Sequence, residues 1–241
     1  MWSIFQKEVS VFFNSLIAYL VIGVFLLLNG LLFWLYPDTN ILDYGYAEMD
    51  GFFQLCPYLL LFFVPAITMR MFSEELRSGT IELLMTRPVS LFSLVAGTYL
   101  SCVFIIALAL APTLIYYISL YRLGNPVGNI DSAAVAGSYF GLLLLASVYA
   151  AAGLFLSSVT KNQVIAFLLT AGVCYILFAG LGQLSGLFSG PLQFGLSYAG
   201  LAFHYNSLGK GVIDSRDVLW MVSFSMLFLV FTLWSLNNIR K

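Results

Sequence analysis

Charge is scarce in this sequence. Asp, Glu, Lys and Arg make up 9% of 241 residues, where a soluble domain carries about 25%. That excludes a soluble globule of this length, whose surface would have to be built from apolar side chains. The net charge of −1 also removes the electrostatic basis for binding nucleic acid or an anionic membrane surface. Histidine occurs once, as His204, and cysteine three times, as Cys56, Cys102 and Cys174. The cysteines lie in apolar runs without metal-ligand spacing, so they read as small buried hydrophobes. A phosphate-binding loop is missing too. The one Gly-Lys pair, Gly209–Lys210, is followed by Gly211 and has no glycine five positions before Gly209. The chain is therefore expected to bind no cofactor and to have no ATPase activity of its own. An intramembrane serine protease would need a Ser/His pair. Ser197, Ser207 and His204 could supply the atoms, but the stretch from Gly195 lacks a second glycine after Ser197. His204 reads instead as a polar residue at a membrane interface.

Uncharged runs fill the rest. They cover 9–37, 51–69, 88–121, 132–160, 162–209 and 218–239. A helix needs about 20 apolar residues to cross the hydrocarbon, and a charge at its centre costs roughly 3 kcal/mol. Removing every charge from six such runs is what a polytopic helical membrane protein requires. The expected fold is all-α with six transmembrane helices, near 16–36, 52–71, 91–120, 134–156, 164–184 and 218–237. Pro57 and Pro65 fall inside the second and Pro112 inside the third, where a bend is expected. Residues 2–13 place Trp2, Phe5, Val9 and Phe12 on one stripe, which predicts a short interfacial helix broken from the first span at Asn14–Ser15. The amino terminus reads as an uncleaved first helix rather than a signal peptide, since its apolar run is long and no cleavage site follows.

With six spans, seven lysines and arginines fall on the side of the amino terminus and three on the other. The positive-inside rule then puts both termini in the cytoplasm. The run 162–209 would be about 72 Å long as one helix, too long for one crossing. Gly186, Gly190, Pro191, Gln193, Gly195, Gly200 and Asn206 make its second half a poor lipid-facing helix. Residues 185–209 could be a further span or an outer re-entrant hairpin between the fifth and sixth spans; the lysine and arginine count is seven against three either way, and the composition favours the hairpin, packed on protein. The spacings Gly182-x-x-x-Gly186-x-x-x-Gly190 and Gly137-x-x-x-Gly141 are those of close helix approach. No span interior holds an acid or base, which argues against an ion-driven pump. If the protein moves a substrate, the energy comes from another subunit.

The one strongly polar stretch runs from Arg70 to Pro88. Ser78-Gly79-Thr80 can end one helical piece and begin the next. Ile81, Leu84 and Met85 then recur at helical spacing, Pro88 closes the piece, and Ser90 can start the third span. This predicts an amphipathic cytoplasmic helix within a segment at 73–88. Its charged contact candidates are Glu74, Glu75, Arg77 and Glu82, around the Gly79–Thr80 break. Leu83 and Leu84 are the candidate apolar anchors.

The pattern Glu-Glu-x-x-x-Gly-Thr-x-Glu-Leu-Leu-x-x-x-Pro-Val-Ser, from Glu74 to Ser90, resembles the ABC-2 type permease family. The resemblance implies six spans, an amino-terminal interfacial helix, an outer hairpin before the last span, and a cytoplasmic coupling helix docked on a separate ABC ATPase subunit. ATP would thus be used by a partner, and a second permease-type subunit, the same or different, would complete the complex among membrane lipids. Many members carry Gly-Lys at the start of the third span; here it is Gly97-Thr98. Residues 123–131, 138–141 and 153–167, with Leu26–Gly30 and Asn40–Asp43, are similar to the permease subunits of gliding-motility transporters of Bacteroidetes. That implies a bacterial inner-membrane exporter-type complex. A membrane scaffold that uses ATPase-driven motion without substrate flux, and an intramembrane enzyme, are the alternatives.

Overall fold

The computed structural model describes residues 1–36, 48–80 and 90–239. Among these, every regular element is helical. Helix α1 (Trp2–Phe13) ends at Asn14, and α2 (Leu16–Trp34) starts from an extended Ser15. Next come α3 (Asp50–Thr68) and the short α4 (Ser73–Ser78). The third run forms α5 (Leu91–Leu110), a 3-10 turn at Ala111–Thr113, and α6 (Leu114–Leu123). Helices α7 (Ser132–Val159) and α8 (Gln163–Tyr175) follow. A π-helical turn at Ile176–Gly180 leads into α9 (Leu181–Ser185). The hairpin helices α10 (Pro191–Ala199) and α11 (Leu201–Leu208) precede α12 (Ser215–Ile239).

Six helical stretches are long and apolar enough to cross a membrane, matching the six uncharged runs. The helix starts are set by side chains that accept from orphan amides. Asp131 accepts from Ala133 and Ala134, Asn162 from Val164, and Ser90 from Ser93. The expected bend near Pro112 is the 3-10 turn, where proline's missing N–H breaks the α-helical ladder. The π turn carries no mark in the sequence. The last span also begins earlier than 218, which brings Asp217 inside α12.

Helix α7 is the axis. It packs against α3, α5, α8, α11 and α12, and 72% of its most apolar window is buried, against 22% in the stretches containing α2, α8 and α12. Small residues make that central place possible. A methyl group on Gly153 would sit 2.1 Å from Thr68 Oγ1 on α3. One on Gly137 would sit 2.6 Å from the Gly211 carbonyl oxygen, and one on Gly141 would sit 2.6 Å from Leu208 Cβ. The Gly137/Gly141 spacing is therefore a packing seam between α7 and the end of the hairpin. The Gly182/Gly186/Gly190 spacing is not. A methyl on Gly182 or Gly190 meets nothing within 4 Å, and one on Gly186 meets only its own turn. Cys56, Cys102 and Cys174 are free and fully buried on three different helices.

Contacts sort the bundle into two ends. One gathers α1, Arg70, α4, the Ser157–Ser158 end of α7 and Ser235 of α12. The other gathers the hairpin, the start of α12, and an aromatic cluster of Phe33, Phe52, Phe53, Tyr116 and Tyr139. At that second end Pro57 cannot donate to the Phe53 carbonyl one turn earlier. The hydroxyl of Tyr205, on α11, donates to that carbonyl at 2.8 Å.

Candidate functional site

The stretch after α3 breaks into turns and stays packed on the bundle. Counted through to Ser78, this span is 29 residues long, about 43 Å as a helix. That is longer than a hydrocarbon core of about 30 Å. Three neighbours hold α4. Ser157 Oγ on α7 accepts from the amides of Phe72 and Ser73 at 3.1 and 3.0 Å, supplying an amino-terminal cap from another helix. Arg70 Nη1 donates to Ser15 Oγ at 3.1 Å, and Arg70 Nε lies 3.3 Å from Glu74 Oε2. Lys7 Nζ on α1 donates to Glu75 Oε1 at 2.7 Å and lies 2.9 Å from Glu8. Leu76 is buried beneath. Gly79, at φ 71°, ends α4 in the left-handed conformation that glycine adopts without strain.

These fastenings divide the candidate contact residues. Glu74, Arg77, Gly79 and Thr80 are exposed, Glu74 while paired with Arg70. Glu75, expected among the contact charges, is instead turned inward to Lys7, with its side chain 14% exposed. Glu82, Leu83, Leu84 and Pro88 lie outside the described residues. Burial works to lower the Lys7 ammonium, but its bonds to Glu75 and Glu8 outweigh that and hold it above the ordinary lysine range. Burial pushes the Glu75 carboxyl above the usual carboxylate range, opposed by Lys7. The two directions pull against each other. With Nζ within 2.9 Å of two carboxylates, we take the ionised pair as the state seen. A cleft of about 210 Å³ lies between α1 and this segment, bordered by Lys7, Phe12, Arg70, Glu75 and Thr80. Sequence reasoning missed Lys7, Arg70 and Ser157 as the groups that hold α4. Only the acidic character of the segment hinted at a basic neighbour.

A second polar cluster lies in the hairpin, and its pairing carried no mark in the sequence. His204 is 1% exposed, enclosed by protein. Its neighbour Asp217, read as flanking the last span, lies within α12 with its side chain 15% exposed. His204 Nδ1 is 2.8 Å from Asp217 Oδ1, and Nε2 is 2.8 Å from the Tyr198 carbonyl oxygen. Ser207 bonds to Asp217 Oδ2, and Ser197 to Ser185. Neither serine hydroxyl that sequence reasoning considered is bonded to an imidazole nitrogen, so this is not the nucleophile–base geometry of a serine hydrolase.

Comparison with protein families adds a finding of its own. The family of ABC-2 family transporter proteins matches residues 2–198. The chain belongs to this family. This ABC-2 family transporter protein is a multi-pass membrane protein and an ABC transporter membrane subunit, and membership implies an ABC ATPase as its partner. No curated protein matches the chain.

Proposed function

We propose that this protein is the permease subunit of an exporter-type ABC complex of the bacterial inner membrane, with both termini in the cytoplasm, and that segment 73–88 is where the ATPase docks. The observation that carries this reading is the construction of α4. It is tied to α1, α2 and α7 through Lys7, Arg70 and Ser157, while Glu74, Arg77, Gly79 and Thr80 face outward. A connector needs no such anchoring. A lever that passes motion into three helices does. The interfacial place of α1 fits the exposed Trp2, stacked on the half-buried Phe5, and re-entry of the hairpin fits its freedom from charge apart from His204.

A second permease-type subunit is part of the reading. On the outward face of α3, Gln54, Tyr58 and Phe62 are exposed at intervals of four. Beside them, Gln183 bonds to Tyr175 at 3.4 Å. Polar groups on a span favour a protein or aqueous neighbour over lipid. The gliding-motility assignment is supported by the resemblance of residues 123–131 and 153–167, and the chain itself performs no chemistry in this account. Photo-crosslinking from position 80 tests the docking reading. A crosslink to an ABC ATPase subunit that changes with ATP is expected; crosslinks to lipid or to this chain alone would refute it. Loss of colony spreading on deletion tests the motility assignment.

A further inference from the structure

The His204 cluster is not used by the docking mechanism, and its hydrogen bonds fix a proton count. A carbonyl oxygen only accepts, so the bond to Tyr198 requires a hydrogen on Nε2. Nδ1 and Asp217 Oδ1 at 2.8 Å require one more hydrogen between them. Asp217 Oδ2 already accepts from Ser207, which suits an ionised carboxylate and leaves the second hydrogen on the ring. The ring stacks on Trp220 at 4.3 Å and 23°, a face that attracts a cation. Tyr198 and Phe203 close the other sides at 4.8 and 5.4 Å. The remaining elements packed on α11, namely α7 and the π turn, contribute Tyr149 and Phe178 but no charged residue. Lys210, Asp214 and Arg216 are exposed nearby in the chain. Among the described residues, Asp217 is thus the charge that faces the ring.

We propose that His204 and Asp217 form a proton-binding site, in which an imidazolium bonded to Asp217 and to the Tyr198 carbonyl fastens the hairpin helices α10 and α11 to α12, and that loss of the proton releases them. With the proton bound, the pair is neutral overall and can stay buried. Without it, the ring has one N–H for two acceptors, so a lone pair faces either the Asp217 carboxylate or the Tyr198 carbonyl and one of the two fastenings is lost. The hairpin is built to respond. Helix α10 has no buried residue, and the π turn and Gly190, at φ 75°, lie on the strand of chain leading into it.

Because His204 is the one histidine of the chain, nitrogen-15 histidine labelling reports this ring without assignment. The full-length protein in lipid nanodiscs is taken from acid to alkaline pH. Ring nitrogen shifts and backbone hydrogen exchange of residues 191–208, corrected for intrinsic rate, are followed together. The expected result is a doubly protonated ring whenever the hairpin is protected, and loss of both in one step. Protection then falls by about tenfold or more, the worth of one charge-assisted hydrogen bond. Asp217→Asn should abolish the step. A neutral ring beneath a protected hairpin, a ring that loses its proton with no change in exchange, or an unaltered step in Asp217→Asn would each overturn the proposal. The wild-type protein alone decides if the variant does not fold.

Discussion

Replacing Tyr205 by phenylalanine removes one oxygen from the bundle, and the structure sets what that should cost. The hydroxyl is buried and donates to the Phe53 carbonyl at 2.8 Å, a carbonyl whose α-helical donor is missing because residue 57 is proline. Leaving a buried acceptor unpaired costs about 1–3 kcal/mol. Side-chain hydrogen bonds between membrane helices measure lower, about 0.6 kcal/mol on average and about 1.7 at most. Since the shape of the ring is kept, Tyr205→Phe should destabilise by about 1 kcal/mol, within the overlap of these ranges. The mechanism makes a stricter demand. In Pro57→Ala the backbone N–H returns and can serve the Phe53 carbonyl, so Tyr205→Phe should cost little there. Equilibrium unfolding in detergent–SDS mixtures of the two single variants and the double variant gives the coupling. Strictly additive effects would refute the claim that Tyr205 substitutes for the helix bond lost at Pro57.

Gly153→Ala should destabilise by about 1–3 kcal/mol through overpacking, because the new methyl overlaps Thr68. Gly172→Ala, with nothing within 4 Å, should not, and equal thermal melting of the two would contradict the α3–α7 seam. Tyr149 is fully buried and its hydroxyl has no hydrogen-bond partner among the described residues. Tyr149→Phe should thus leave stability unchanged or raise it, and a clear loss in the same unfolding assay would mean that the hydroxyl is bonded. Lys7→Glu sets a third carboxylate beside Glu8 and Glu75 and should lower the melting temperature. Glu75→Lys added to it restores the pair, and failure of that rescue would show that Lys7 does not hold α4.

Much of the bundle was legible because membrane insertion is a composition rule. Wherever charge is absent for about 20 residues, a span is nearly forced. The breaks at Asn14–Ser15, Pro112 and Gly79 were legible because they rest on local backbone chemistry. What escaped were pairings between distant residues. Nothing near Ser157 marks it as the cap of a helix 84 residues away, and nothing near Tyr205 points to a carbonyl 152 residues back. The partner of His204 was missed because a lone histidine in an uncharged run carries no sign of it, and Asp217 lay just beyond the expected start of the last span. The glycine spacings show the same limit. Gly137/Gly141 and Gly182/Gly186/Gly190 look alike in sequence, and only the first faces another part of the chain. For the segment proposed to dock, the sequence pointed to a polar stretch but not to which of Glu74 and Glu75 faces out.

The most direct test of the account is copurification with the partner ATPase. Leu83→Ala and Leu84→Ala remove the proposed apolar anchors, whereas Arg77→Ala removes an exposed charge. Buried anchors commonly carry 2 kcal/mol or more of an interface and rim charges about 1 or less. At least one leucine variant should therefore retain roughly thirtyfold less ATPase, and Arg77→Ala should retain most of it, with all three inserted normally in the membrane. Full ATPase association in both leucine variants would contradict the account and leave segment 73–88 as a connector.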